Sequence, residues 1–120
     1  MERDETVFLR HILDASNLIE TYLEGITEED FYKQHLLQDG VIRQTEIIGE
    51  AVRHLSEEFR SLFPAIPWAD IAGMRDKLIH DYFGVDLEKV WLTAKEDIPQ
   101  LKIDVESILD EENNGFEKQN

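Results

Sequence analysis

The chain reads as an all-α protein, an antiparallel bundle of four to five helices. Three observations carry this. Apolar residues recur at three- and four-residue spacing along most of the 120 residues. Prolines and favourable capping residues fall between those stretches. No segment shows the strict alternation of a half-buried strand.

The first stretch places Leu9, Ile12, Leu13, Ile19, Tyr22 and Leu23 on one face and predicts a helix over about residues 4–24, with Gly25 as its stop. Thr27 then reads as a cap before an acidic first turn, opening a short helix through Phe31 and Tyr32. A long helix follows over roughly 35–57, with Leu37, Val41, Ile48, Ala51, Val52 and Leu55 inward. Gly40 and Gly49 lie inside it, each at a cost of about 1 kcal/mol relative to Ala, and close helix approach is the reading preferred for both. Ser56 continues or restarts the helix toward Phe63. Pro64 and Pro67 break the pattern.

A further helix starts at Pro67 or Trp68, with Ile71, Met74 and Leu78 inward and Gly84 as a stop. Asp86 caps the last helix, whose stripe of Leu87, Trp91, Ala94, Ile98, Leu101, Val105 and Ile108 has the most regular spacing in the chain. Pro99 removes one backbone hydrogen bond, to the Lys95 carbonyl, and predicts a kink. Beyond about Leu109 the sequence turns polar. The expected organisation is one domain over residues 1–110 and a polar, disordered tail over 111–120. No repeat or second domain is visible.

Composition narrows the chemistry. Without cysteine, the chain has no disulfide, thiolate metal site or thiol nucleophile, and a cytoplasmic location is the natural expectation. No apolar run is long enough to span a membrane, and the charged first residues do not resemble a secretory signal. The net charge of −15 argues against nucleic acid when taken globally. The charge is uneven, however: residues 40–80 hold five basic and six acidic side chains. The middle of the chain is therefore nearly neutral inside an acidic shell, and such a shell also suits a basic protein partner.

Chemistry concentrates in residues 73–83, where Arg75 and His80 stand five positions apart and Tyr82 follows. An Arg can grip two phosphate oxygens in a fork, and a His with an unperturbed pKa of about 6.5 can take the proton of a ribose 2′-hydroxyl. A metal-free RNA-cleaving site would need that pair, with Asp76 as an orienting carboxylate and Tyr82 as a hydroxyl and stacking face; from spacing alone the plainer reading of the stretch is a solvated helix face. On a straight helix Arg75 and His80 would sit about 140° apart. The site therefore needs the helix to end near His80, or two copies of the chain to share it across a two-fold interface.

Other candidates have plainer readings. His11, His35 and His54 are single histidines without metal-ligand spacing and read as surface or boundary residues. Glu46 and Glu50 read as partners of Arg43 or Arg53 in solvated ion pairs. Trp68 and Trp91 read as core anchors.

Taken together, Trp68, Gly73-Met74-Arg75-Asp76, His80-Asp81-Tyr82, Asp86-Leu87 and Trp91 resemble the HepT-like family, also called domain of unknown function 86, of the HEPN superfamily. The stretch from Arg43 to Ala51 resembles that family's long helix, and the resemblance covers about residues 5–110. It implies an all-helical homodimer acting as the toxin of a type VII-like toxin–antitoxin pair. It also implies a metal-independent endoribonuclease that needs no cofactor, with Arg75 and His80 catalytic and Asp76 the supporting polar residue. The implied partner is a minimal nucleotidyltransferase antitoxin that adenylylates Tyr82. The polar position is often Asn in the family, so Asp76 adds a negative charge beside the phosphate site. The alternative is a non-catalytic helical module that binds nucleotide or a nucleotidyltransferase partner.

Overall fold

The computed structural model describes residues 4–80 and 84–119, with side chains described over 4–79 and 84–111. Eight α-helices occur among these residues: α1 (Thr6–Leu23), α2 (Glu28–Lys33), α3 (His35–His54), α4 (Glu57–Ser61), α5 (Trp68–Ala72), α6 (Met74–Leu78), α7 (Leu87–Leu92) and α8 (Ile98–Gln119). Packing of α1 on α3 and of α1 on α8 forms the frame of an all-α bundle, and the short helices α2, α5, α6 and α7 pack against α3.

The core follows the apolar stripes. Leu9, Ile12 and Ile19 of α1, Val41, Ile48 and Val52 of α3, and Ile98, Leu101 and Val105 of α8 are all buried. At about 25 cal/mol per Å² of apolar surface, such side chains contribute roughly 1.5–3 kcal/mol each. Spacing did not single out Phe31 or Val90, which are completely buried. Phe31 lies on a helix too short to establish a period, and its ring packs 5.5 Å from that of Trp91.

Caps divide the chain where the sequence offers them. Gly25 takes φ +72°, the left-handed conformation that glycine adopts without strain. The Thr27 hydroxyl accepts a hydrogen bond from the Asp30 amide, and the Gln38 amide group donates to the Phe31 and Tyr32 carbonyls at the end of α2. Ser56 restarts the helix, its hydroxyl accepting from the Phe59 amide. The Asp86 carboxylate accepts from the Lys89 amide at the start of α7.

Two regions depart from the expected helices. The helix predicted from Trp68 toward Gly84 is divided at Gly73 and stops at Leu78. Ile79–His80 then form β1, paired antiparallel with β2 (Gly84–Val85), His80 opposite Gly84. The Asp86 amide donates to the Leu78 carbonyl and ties off the helix end.

The second departure is the predicted kink at Pro99, which is absorbed by a π-helical turn over Thr93–Asp97 between α7 and α8. Widening the turn ahead of the proline accommodates its ring and missing N–H while the apolar stripe stays inward. The backbone of α8 continues past Leu109 to Gln119. No helix among the described residues is long and apolar enough to cross a membrane.

Candidate active site

Two local features place the motif. Trp68, buried at the start of α5, donates its indole N–H to the carbonyls of Arg60 and Phe63 at 3.1 and 3.2 Å. This fastens α5 to the end of α4 across the proline-containing connection. Gly49 on α3 faces the end of α5 so closely that a Cβ there would lie 3.1 Å from the Ala72 carbonyl oxygen. Close approach is thus the physical reason for this mid-helix glycine, as it is for Gly40, where a Cβ would meet the Tyr22 ring at 3.2 Å.

This contact brings α6 alongside α3 and sets Arg75 over the polar face of the long helix. The Arg75 Nε lies 3.3 Å from the Glu46 carboxylate, and its guanidinium also reaches Asp76 at 3.7 Å. The Arg75 side chain remains half exposed, and Asp76 is largely solvated. Glu46 is shared, its other oxygen 3.6 Å from Arg43. One turn further along α3, Arg53 pairs with Glu50 at 2.8 Å. The two α3 pairs match the sequence reading. Arg75–Glu46 was not anticipated, because nothing in linear spacing signals a contact across two helices.

His80 lies on β1, beyond the end of α6, so the backbone between it and Arg75 is not a continuous helix. The 140° separation of an ideal helix therefore does not apply. Its side chain lies outside those described, and Tyr82 lies outside the described residues altogether.

A cleft of about 400 Å³ opens beside Arg75, between α1, α3 and α5. Its floor includes Gly49, Ala51 and Ala72; its rim includes Arg43, Arg53, His11 and His54. Sequence reading treated these two histidines as unrelated surface residues, and the fold puts both on this cleft. The missed signal was the i, i+3, i+7, i+10 series Arg43, Glu46, Glu50, Arg53, which marks one charged face of α3. Among the described residues no three His, Asp or Glu side chains gather with metal-holding geometry.

Comparison with known proteins bears on this arrangement. The family model described as "Ribonuclease HepT-like" matches residues 12–108. A Thermococcus cleftensis protein named as a probable ribonuclease HepT is 49% identical over 102 residues, covering 85% of this chain and 93% of that protein. A Caldanaerobacter subterraneus protein provisionally named an RNase is 46% identical over 105 residues, 88% of this chain and 94% of its own length. A Methanocaldococcus jannaschii protein named a gamma-glutamylcyclotransferase and provisional RNase is 49% identical over 111 residues. The match takes in 92% of this chain but only half of that relative. No solved structure matches the chain. The family match spans most of the sequence, and the relatives agree with it at well above 30% identity: the chain belongs to the HepT-like ribonuclease family.

Proposed function

We propose that the chain is a metal-independent endoribonuclease, with Arg75 and His80 its catalytic pair and Asp76 an orienting carboxylate. The observation that carries this reading is the termination of α6 at Leu78, which leaves Arg75 in a helix and His80 on the following strand. Family membership and the RNase names of the relatives support it. In the reaction His80 takes the proton of a ribose 2′-hydroxyl. The 2′-oxygen attacks the adjacent phosphorus, and the bond to the 5′-oxygen of the next nucleotide breaks. The leaving oxygen takes a proton, directly from His80 or through water. The products carry a 2′,3′-cyclic phosphate and a 5′-hydroxyl. Arg75 offsets the negative charge that builds on the phosphate oxygens.

In the same reading the protein acts in the cytoplasm as a homodimeric toxin, and its antitoxin is a minimal nucleotidyltransferase that adenylylates Tyr82. A nucleotide on Tyr82 would add bulk and a negative phosphate to the motif that carries Arg75 and His80. Both effects oppose RNA binding.

Purified protein is expected to cleave RNA in the presence of a chelator, and His80→Ala to abolish cleavage while the helical circular dichroism is kept. Equal cleavage by both would sink the catalytic assignment. Incubation with the nucleotidyltransferase and ATP is expected to add about 329 Da, AMP less water, at Tyr82. Silencing without that added mass would point to blockage by complex formation instead.

One observation favours a second reading, a non-catalytic module for nucleotide or a nucleotidyltransferase. The Arg75 guanidinium is already held by Glu46, on a chain of net charge −15. The chelator experiment separates the two readings.

A further inference from the structure

The cleft beside Arg75 gathers an unusual share of the chain's cationic side chains. Three of its six arginines, Arg43, Arg53 and Arg75, line this one concavity, together with two of its four histidines, His11 and His54. Two carboxylates, Glu46 and Glu50, hold the arginines in place from the same helix face. With the histidines neutral the lining is +3 against −2, in a protein whose net charge is −15. Local positive charge is therefore concentrated where the rest of the surface repels polyanions.

The cleft also has an aromatic edge. The rings of Phe8 and His54 lie nearly parallel, 12° apart in orientation with centroids at 5.2 Å. His54 is exposed. Cations following a groove, with an aromatic face at its edge, are the elements that hold single-stranded nucleic acid: the cations track phosphates and the ring stacks a base.

We propose that this cleft is an extended RNA subsite. Arg43 and Arg53 bind the phosphates flanking the one gripped by Arg75, and the His54–Phe8 pair supports a neighbouring base. The carboxylates of Glu46 and Glu50 hold the guanidinium groups in position until phosphate displaces them. This rests on the reading of the chain as an RNA-binding enzyme, and it assigns Arg43 and Arg53 to substrate binding only, with no role in bond breaking.

The test uses full-length protein and a fluorescein-labelled single-stranded oligonucleotide with 2′-deoxyribose throughout its scissile region, so that binding is read without cleavage. Dissociation constants are measured by anisotropy from 50 to 300 mM salt for wild type, Arg43→Gln, Arg53→Gln and the control Lys33→Gln. Lys33 lies on α2, does not line the cleft and is well exposed. Each arginine variant is expected to lower the slope of log affinity against log salt by about 0.7, close to fivefold in Kd at 0.1 M salt. With a cleavable RNA, KM is expected to rise similarly while kcat stays within about twofold.

Wild-type affinity and slope in both arginine variants would overturn the subsite and leave the catalytic reading standing. Arginine-dependent binding with no cleavage by wild type would do the reverse. Absence of wild-type binding in this assay overturns the subsite, and the cleavage assay then judges the catalytic reading separately.

Discussion

Single side chains decide how the candidate site is charged. Arg75 was legible as a phosphate-binding candidate from its spacing to His80, but its engagement by Glu46 was not. That contact depends on how closely α3 and α6 approach, which no local pattern encodes. In the proposed subsite Glu46 competes with phosphate for Arg75 and Arg43, with both of which it is paired. An exposed ion pair of this kind is worth about 0.2–1 kcal/mol, so Glu46→Gln is expected to tighten RNA binding by up to about fivefold, measured by anisotropy at low salt. Weaker binding in that variant would mean that Glu46 chiefly orients the guanidinium.

Away from the site, the Tyr32 hydroxyl donates to the Glu28 carboxylate at 2.5 Å. That bond to a negative acceptor, reinforced by burial and by Glu88 and Asp86, pushes the phenol up to about 12. The folded-state value lies above the unfolded one, so this bond supports the fold fully below about pH 10 and is lost as pH rises through about 12. Glu28→Gln is expected to bring one tyrosine ionisation back toward its ordinary range in a phenolate absorbance titration. An unchanged titration would rule out the bond as the cause.

The elements were largely readable because their signals are local. The apolar stripes of α1, α3 and α8 form the core, and Thr27, Ser56 and Asp86 cap helices through their own side chains. Local pattern failed where tertiary contact overrides it. The sequence from Trp68 toward Gly84 keeps a helical rhythm, yet the chain breaks at Gly73 and leaves the helix at Ile79 to pair with Val85. The π turn ahead of Pro99 was foreseen only as a kink, since the proline marks the fault but not how neighbouring turns absorb it.

Gly49 ties the element scale to the site. An Ala in an open helix position would gain about 1 kcal/mol over Gly. Here its Cβ would press on the Ala72 carbonyl, a backbone atom with little room to move. Gly49→Ala is expected to lose that gain and to destabilise the protein by up to about 2 kcal/mol in urea unfolding. It should also reduce RNA cleavage, because α5 carries the displacement on to α6 and Arg75. A stabilised variant with full activity would show that the close approach is dispensable.

For the whole molecule, fold class and family were both accessible from sequence, because they rest on features spread over about a hundred residues. The family motif does not reveal how a chain of net charge −15 would hold a polyanion, and the cleft offers a physical answer. Arg43, Arg53 and Arg75 come from two different helices, α3 and α6, and only folding brings them to one concavity.

The proposed reaction uses the substrate's own 2′-hydroxyl, and a matched pair of RNA oligonucleotides tests that requirement. One is all-ribose and the other carries a single 2′-deoxyribose at the mapped cleavage position, both incubated with wild-type protein in excess chelator. The expected result is cleavage of the first alone, with a 2′,3′-cyclic phosphate on the upstream product and no cleavage by His80→Ala. Cleavage at the deoxyribose position, or an upstream product ending in a free 3′-hydroxyl, would contradict the mechanism.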